Sequence, residues 1–580
     1  MSKRLLGLIL GSLITLGLLG YWFSTRPQGD EPAIANLPPA QAIGFLAVPG
    51  LPQAWHDLQR SKFFRQVTTP AYWQRALGEN GYQRLLEAKH QAERRLGVPI
   101  TEQTVGHLLG REVGLALVPS QGGLWPVDVI AYIRVSGSER IAETFVRGFS
   151  STMQDLVRDA RTVDGTELVT LRSQDGTALV SYAFLDSLAV LSTDSAWVID
   201  AINARHGTAT DRLDVSTPLQ ISPPDGAQPL LAYGSYQVTS RYTDTLSQQP
   251  WAAHPWLAAS LSMLPRTTRI SMQSHRTSDG VKVETLAQYP ANGTSRVWRE
   301  AKRDGAVPPF AGVPAETFYL THIDLLHLQG LWALLKQFLT LTSPQLLEHT
   351  LTQFRVWTGV DLEREVIPLF SGIGGLGITA PFGPERGGPF ALPGIFLTLG
   401  VTDEARGQQL IQRIGTHAGG PMFSEFLRRL PHNGQTISYL NHPFFFIKPG
   451  YVTSHQQLIL ASDVGLLQHM LDVAAGRAPP LSKSTAYRTL RRHFQAAGGS
   501  TAFIDVTTAA ENARDASLRL GFLLPLLTHA VPGLPSLGAV ESDPSALLEL
   551  VRPIRYIGAA SEAGPQGVKT EAFIAFEDLR

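Results

Sequence analysis

The sequence of 580 residues contains no cysteine. This absence excludes disulfide bonds, thiolate metal sites, a cysteine nucleophile and a lipidated N-terminal cysteine. It is compatible with export to an oxidising compartment, where a free thiol would be a liability.

The sequence also has no net charge, because 49 Lys and Arg residues balance 49 Asp and Glu residues. No cluster of basic residues interleaved with aromatic residues stands out, so the electrostatic footprint of a nucleic-acid-binding protein is missing. No nucleophile elbow, Walker loop, H-E-x-x-H or EF-hand pattern occurs. We therefore expect no enzymatic activity, no cofactor, no metal and no nucleic-acid partner.

One long apolar run lies at the start of the chain. Residues 5–23, LLGLILGSLITLGLLGYWF, carry no charge; at about 1.5 Å per residue they nearly span a hydrocarbon core of about 30 Å. Lys3 and Arg4 predict a cytoplasmic N-terminus. We predict an uncleaved single-pass anchor in the inner (cytoplasmic) membrane, with the bulk of the chain periplasmic or extracellular. A cleaved signal peptide is the alternative, although its apolar region is usually about 7–15 residues long. The predicted anchor residues are Leu5, Leu8, Ile9, Leu13, Leu16, Tyr21, Trp22 and Phe23.

The rest of the chain is organised around residues 189–207, AVLSTDSAWVIDAINARHG. A short apolar run predicts a buried strand, and Asp194 after it predicts a helix N-cap. Gly207 predicts the C-terminal end of that helix. The helical face predicted to be buried consists of Trp197, Val198, Ala201 and Ile202.

The same pattern recurs 269 positions later at residues 458–476, LILASDVGLLQHMLDVAAG, where Asp463 and Gly476 match Asp194 and Gly207. Other segments match in the same order. They are PAQAIGFLAV at 39 with PAETFYLTHI at 314, VDVIAYIRV at 127 with GIFLTLGV at 394, and GVKVETLA at 280 with GVKTEAFI at 567. Collinear matches predict a duplication, and the long period indicates two domains rather than a solenoid.

These matches divide the chain into five predicted segments. They are a membrane anchor at 1–23, a flexible tether at 24–38, repeat 1 at 39–290, a linker at 291–312 and repeat 2 at 313–580. Within repeat 1, apolar Ile141, Phe145, Met153 and Leu156 predict a helix over residues 139–161.

Several candidate sites have a simpler structural interpretation. Residues 372–377, GIGGLG, fit a dinucleotide fingerprint, but the following TAPFGP cannot begin a helix, which favours structural glycines. His322, Asp324 and His327 do not share a face on a helix or a strand, which disfavours a metal site. Helix capping explains Asp194 and Asp463 better than catalysis does. The residues His432-Asn433-Gly434 predict a turn.

Two apolar, proline-broken segments, 250–265 and 520–540, precede the last strands of the two repeats. They are candidates for a hydrophobic groove or a membrane contact, with core packing under the sheet as the alternative. The candidate groove residues are Trp251, Trp256, Leu520, Phe522, Leu523 and Leu526.

Four features together resemble a bacterial envelope family, domain of unknown function 3352. They are the anchor, the Pro39-Ala40 opening, the step of residues 359–362 (GVDL) into a glycine-rich strand, and the GVK-x-E strand at 567–571. The resemblance covers most of residues 37–580. It implies an anchored envelope protein and carries no catalytic residues.

We predict an α+β fold: an N-terminal transmembrane helix followed by two tandem, pseudo-symmetric repeats with mainly antiparallel sheets and packed helices. The predicted function is a non-catalytic, membrane-anchored extracytoplasmic binding or scaffold protein of the bacterial envelope, with an envelope protein or a lipid as partner. One alternative is a carrier of a lipid or other hydrophobic ligand in an apolar groove. The second is an envelope hydrolase, which requires converging carboxylate and histidine groups.

Overall fold

In the computed structural model, the described residues fall mainly in twelve ranges. The described ranges, with single or paired gaps, are 37–49, 112–120, 127–134, 156–207, 230–236, 269–288, 310–322, 343–381, 392–442, 447–494, 500–515 and 553–577. Isolated positions are described in addition, mostly helical ones between 60 and 94 and between 332 and 340.

The predicted anchor and the predicted groove lie outside the described residues. This holds for Leu5, Leu8, Ile9, Leu13, Leu16, Tyr21, Trp22 and Phe23, and for Trp251, Trp256, Leu520, Phe522, Leu523 and Leu526. Within the described ranges, no helix combines the length and the apolar character that crossing a bilayer requires.

The described residues belong to two compact units. Unit 1 contains residues 37–236 and 269–288, and unit 2 contains residues 310–577. The helices described with defined ends are α1 (Ser195–Arg205) in unit 1 and, in unit 2, α2 (Pro344–Thr358), α3 (Glu404–Phe426), α4 (Val464–Ala474) and α5 (Thr485–Arg491). A π-helix (Leu362–Val366) follows α2, a 3₁₀ turn (Leu481–Lys483) precedes α5, and residues 506–515 are also helical.

Unit 1 is built on an antiparallel sheet with ten described strands. They are β1 (Gly44–Pro49), β2 (Glu112–Pro119), β3 (Val127–Arg134), β4 (Leu156–Val163), β5 (Thr166–Ser173), β6 (Ala178–Leu185), β7 (Leu188–Ser192), β8 (Leu230–Tyr236), β9 (Arg269–Arg276) and β10 (Gly280–Gln288). Their pairing gives the order β4-β5-β6-β7-β3-β2-β1-β8-β9-β10.

Unit 2 also has ten described strands in an antiparallel sheet. They are β11 (Thr317–His322), β12 (Phe370–Thr379), β13 (Gly394–Val401), β14 (Leu427–His432), β15 (Gln435–Leu440), β16 (Gly450–Ser454), β17 (Gln457–Ala461), β18 (Ser500–Asp505), β19 (Ile554–Gly564) and β20 (Gly567–Phe576). Their order is β14-β15-β16-β17-β13-β12-β11-β18-β19-β20. The predicted α+β class with mainly antiparallel sheets is confirmed, and the two strand orders are the same.

Two-residue turns fix the registers of matching hairpins. Asp164-Gly165 joins β4 to β5, and Asn433-Gly434 joins β14 to β15. All four residues have positive φ, with values of 44° and 80° in the first turn and 53° and 76° in the second. Asp, Asn and Gly tolerate this backbone region, and the resulting turn matches the twist of the flanking strands. The predicted turn at Asn433-Gly434 is confirmed.

Helices α1 and α4 cover their sheets in the same manner. Asp194 and Asp463 are the N-caps, and their carboxylates accept from the amides of Ala196 (2.9 Å) and Gly465 (2.7 Å). The predicted buried face of α1 is confirmed, and the residues at the same positions in α4 are buried as well; they are Trp197, Val198, Ala201 and Ile202 in α1, and Leu466, Leu467, Met470 and Leu471 in α4. These side chains pack on strand residues that include Phe45, Ile130 and Val190 in unit 1 and Phe396, Ile459 and Phe503 in unit 2.

The helix predicted over residues 139–161 is wrong in its last six residues, and residues 139–155 lie outside the described ranges. Leu156 to Arg161 belong to β4. The turn at Asp164-Gly165 folds this segment back so that it pairs with β5, whose residues 168–171 are buried. Cross-strand pairing therefore overrides the apolar spacing that indicated a helix.

Candidate functional site

Helix α2 buries little of its surface. It begins with Pro344 after Ser343 and ends at Gly359, whose φ of 70° satisfies the left-handed C-cap. A Cβ atom at position 359 would also lie 2.8 Å from the His417 ring. Both the backbone angle and this contact therefore favour glycine here. Leu347 is the buried residue of α2, and Phe354 packs partly against the core of unit 2.

The rest of α2 presents large apolar side chains to solvent. Trp357 is 70% exposed, Val356 60% and Leu346 51%. Leu346 and Trp357 are three turns apart and project from the same side of the helix, because positions eleven residues apart nearly coincide in angle. We call Leu346, Val356 and Trp357 the α2 patch. Tryptophan is enriched at protein interfaces, so exposed Trp357 is the candidate contact residue of this surface.

The segment after α2 is held by capping and ion pairs. Asp361 is the N-cap of the π-helix, and its Oδ1 accepts from the amides of Glu363 and Arg364, both at 3.0 Å. The Arg355 guanidinium donates to the other oxygen of Asp361. The amide of Arg364, followed by the Arg355 guanidinium, lowers the pKa of Asp361. This carboxylate therefore ties the last turn of α2 to the start of the π-helix.

Two further carboxylates of the π-helix are paired in the same way. Glu365 accepts from the amide of Asp361 at 3.0 Å and from the Arg413 guanidinium of α3 at 2.6 Å; both hydrogen bonds lower its pKa. Glu363 accepts from Lys336 at 2.7 Å and from the Trp332 indole at 2.9 Å, and these donors lower its pKa. Three acids thus pair with three bases beside the α2 patch. The three carboxylates of this segment are therefore each balanced by a cationic partner.

These pKa shifts predict an acid limit for the α2 connection. A carboxyl group whose pKa is lowered by folding stabilises the folded state at any pH above its pKa in the unfolded chain. That unfolded pKa is about 3.9 for Asp and about 4.3 for Glu, and the stabilisation is lost as the pH falls below it. We expect the amides of Glu363 and Arg364 to lose protection from hydrogen exchange between about pH 4 and about pH 2, after correction for intrinsic rates. In an Asp361→Asn variant this pH dependence should be weaker. Equal protection at both pH values would contradict the expectation.

A second group of charges is buried in unit 1. The Lys282 ammonium lies 2.9 Å from Glu284 Oε1, and Gln273 Nε2 donates to Glu284 Oε2 at 2.8 Å. His275 lies directly opposite Lys282 in the β9–β10 hairpin, and burial lowers the pKa of its imidazole. The corresponding pair in unit 2 is Lys569 with Glu571, at 3.3 Å. The GVK-x-E match of the two repeats therefore encodes a charged pair on the last strand of each unit.

Two further sequence hypotheses concern the glycines of residues 372–377 and the residues His322, Asp324 and His327. Residues 372–377 lie in β12, and Cβ atoms at Gly374 and Gly377 would come within 2.4 Å of the Thr398 carbonyl and 2.1 Å of the Phe396 ring. This close approach agrees with the structural interpretation of the glycines. His322 is buried in β11, while Asp324 and His327 lie outside the described ranges. No cluster of three or more His, Asp or Glu residues suited to a metal ion occurs in the described part of the chain.

Sequence analysis missed two features of unit 2. His432, assigned only to a turn, also contacts Asp472 of α4 at 3.0 Å, and Asn433 donates to the same oxygen at 2.8 Å. Burial tends to raise the pKa of Asp472, but the hydrogen bonds from Asn433 and His432 outweigh it and the pKa is lowered. The α2 patch was the other omission. Its signal was a tryptophan two residues before the C-capping Gly359, displaced from the face that carries Leu347.

Comparison with known proteins adds little to this description. No family model and no curated protein matches the chain. Two solved structures are similar over part of it, crystal form III of TP0453 with a TM-score of 0.22 and crystal form IV with a TM-score of 0.20. Each is 8% identical, and the match covers 47% of this chain and 80% of that chain. TM-scores of this size support no argument about this protein.

Proposed function

We propose that the protein is a non-catalytic binding or scaffold protein of the bacterial envelope, anchored in the inner membrane by residues 5–23 and otherwise extracytoplasmic. The α2 patch is the observation that carries the binding role. Exposed Trp357 is the residue type that most often dominates protein interfaces, where one large side chain contributes much of the affinity. We further propose membership of the family of domain of unknown function 3352.

The same proposal includes a duplicated architecture. The collinear sequence matches support it, as do the identical strand orders of the two units and the capped helices α1 and α4 that begin 269 positions apart. The α2 patch has no counterpart among the described residues of unit 1. A duplicated fold with a binding surface on one unit is compatible with a scaffold, in which unit 2 binds the partner and unit 1 has a structural role.

The proposed occupant of the α2 patch is an apolar segment of another envelope protein. Charge favours this occupant, since the acids Asp361, Glu363 and Glu365 near the patch are each paired with a base. A locally neutral rim offers no attraction to an anionic headgroup or a charged ligand, whereas apolar area favours association without charge.

The test combines cross-linking with matched variants of the full chain in its native membrane. A photo-reactive amino acid in place of Trp357 should cross-link to one defined protein, and Trp357→Ala should weaken that complex about 30-fold, or about 2 kcal/mol. Ile395→Ser is the control, because Ile395 is also 50% exposed in unit 2 but lies on β13. Both variants should keep the stability of the parent within about 0.5 kcal/mol.

Three results would contradict the proposal. One is cross-linking to lipid alone, which would favour the carrier alternative. Another is equal loss of the complex in Trp357→Ala and Ile395→Ser, which would indicate non-specific capture. The third is a complex that survives loss of the tryptophan.

A further inference from the structure

Strand β4 is the last strand at one end of the described part of the unit 1 sheet. Within the described residues it pairs with β5 and with no other strand. Residues 157–162 are exposed on both faces of the strand, and Val157 is 55% exposed. A long exposed edge strand is a template for pairing with another chain, and proteins that do not use such an edge normally block it.

The turn after β4 determines which backbone groups point outward. Val163 and Thr166 flank the two-residue turn and form a hydrogen-bonded pair, so the odd-numbered residues of β4 exchange hydrogen bonds with β5. The amides and carbonyls of the even-numbered residues Arg158, Ala160 and Thr162 therefore point away from the sheet. A strand added at this edge would bond to these three residues.

The sequence of β4 is complementary to itself. Residues 157–163 read VRDARTV, and an antiparallel pairing centred on Ala160 places valine opposite valine and Asp159 opposite Arg161. The Arg161 guanidinium makes no ion pair or hydrogen bond within the described structure, and the Asp159 carboxylate has only a long contact of 3.9 Å with Arg172. Both charges are therefore accessible to a partner strand.

We propose that a second copy of this chain pairs with β4 in this antiparallel register, so that the two unit 1 sheets become continuous across a two-fold axis at Ala160. Ala160 would face Ala160 of the second copy, and Arg158 would face Thr162, as hydrogen-bonded pairs. Asp159 and Arg161 would then face each other twice in non-hydrogen-bonded pairs, where side chains approach most closely. In this register the outward amides and carbonyls form hydrogen bonds, and Asp159 and Arg161 form ion pairs between the two copies.

Unit 2 provides the contrast. Its corresponding edge strand, β14, has Pro431 at the position that matches Thr162, 269 residues earlier. By the same turn logic this position points outward, and proline has no amide to donate there. Arg428 and Arg429 also place two like charges on β14. The edge of unit 2 therefore carries a proline block, whereas the matching position of β4 is threonine.

The experiment measures self-association of the full chain in detergent micelles or nanodiscs by analytical ultracentrifugation. The parent should form dimers at micromolar concentration. Thr162→Pro, which copies the residue of unit 2, should weaken the dimer at least tenfold, because it removes one hydrogen bond per copy and adds a ring at the pairing edge. Asp159→Arg and Arg161→Asp should each weaken it about tenfold, and the double variant should restore it.

Cross-linking gives an independent readout, because the natural chain has no thiol. Ala160→Cys should form an intermolecular disulfide on mild oxidation, since opposite Cα atoms of a hydrogen-bonded pair are about 5.5 Å apart. Arg429→Cys, at the matching position of β14, is the control and should stay monomeric. A monomeric parent, a dimer indifferent to Thr162→Pro and to both charge reversals, or equal cross-linking at 160 and 429 would overturn the proposal. None of these results depends on the α2 patch, so the scaffold proposal is tested separately.

Discussion

Replacing Glu284 with leucine is expected to lower the free energy of unfolding of unit 1 by about 3–5 kcal/mol. The side chains of Glu284 and Lys282 are 0% and 3% exposed, and their charged atoms are 2.9 Å apart. Removing the carboxylate takes away the ion pair that the buried ammonium makes on β10 and leaves the Gln273 amide without its acceptor. Both losses act on buried groups, where desolvation is not offset by water.

Urea unfolding of the full chain, followed by hydrogen exchange of unit 1 amides, measures this loss. Glu167→Leu is the matched control, because Glu167 pairs with Arg158 at 2.9 Å but both side chains are largely solvated. The control should change stability by no more than about 1 kcal/mol. Replacing both members of the buried pair, with Lys282→Met and Glu284→Leu, should recover part of the loss. Equal effects at Glu284 and Glu167 would show that burial of this pair is energetically unimportant.

Replacing Leu467 with alanine is expected to destabilise unit 2 by about 2–5 kcal/mol. Leu467 is fully buried between α4 and the sheet, in the same core as Phe396 and Phe503. The truncation removes three carbon atoms from a packed interior, and the rigid strands around it can fill the cavity only in part.

The same measurement on unit 2 amides tests this expectation, with Leu346→Ala as the control. The chemistry is identical, but Leu346 is half exposed on α2, so the change should stay within about 0.5 kcal/mol. Hydrogen exchange in unit 1 should not respond to Leu467→Ala. A loss below about 1 kcal/mol would mean that the core around α4 is loosely packed.

The elements that sequence analysis predicted correctly are those with local signals. Asp194 and Gly207 mark the ends of one helix within nineteen residues of sequence, and the caps and buried face of α1 follow from them. The turn at Asn433-Gly434 is equally local, because its residue types alone favour positive φ. Such signals act within a few residues and need no knowledge of the rest of the chain.

Contacts between distant segments could not be predicted in this way. The pairing of β1 with both β2 and β8 joins residues far apart in sequence, and no periodicity encodes it. The ion pairs of Glu363 with Lys336 and of Glu365 with Arg413 depend on how helices pack, which single-sequence patterns do not specify. The exposure of Trp357 was hidden for the same reason, since an apolar residue on a helix is buried or exposed according to its neighbours.

Helices α1 and α4 present side chains of different sizes to their own sheets. Helix α1 places a large Trp197 and a small Ala201 against its sheet, where α4 places Leu466 and Met470 at the same two positions. If α4 docked on the first sheet during folding, it would leave a void beneath Leu466 and crowd the space of Ala201. The two halves share a topology, yet their helices are not interchangeable. We therefore expect exchange of the two helices to be disfavoured while the chain folds.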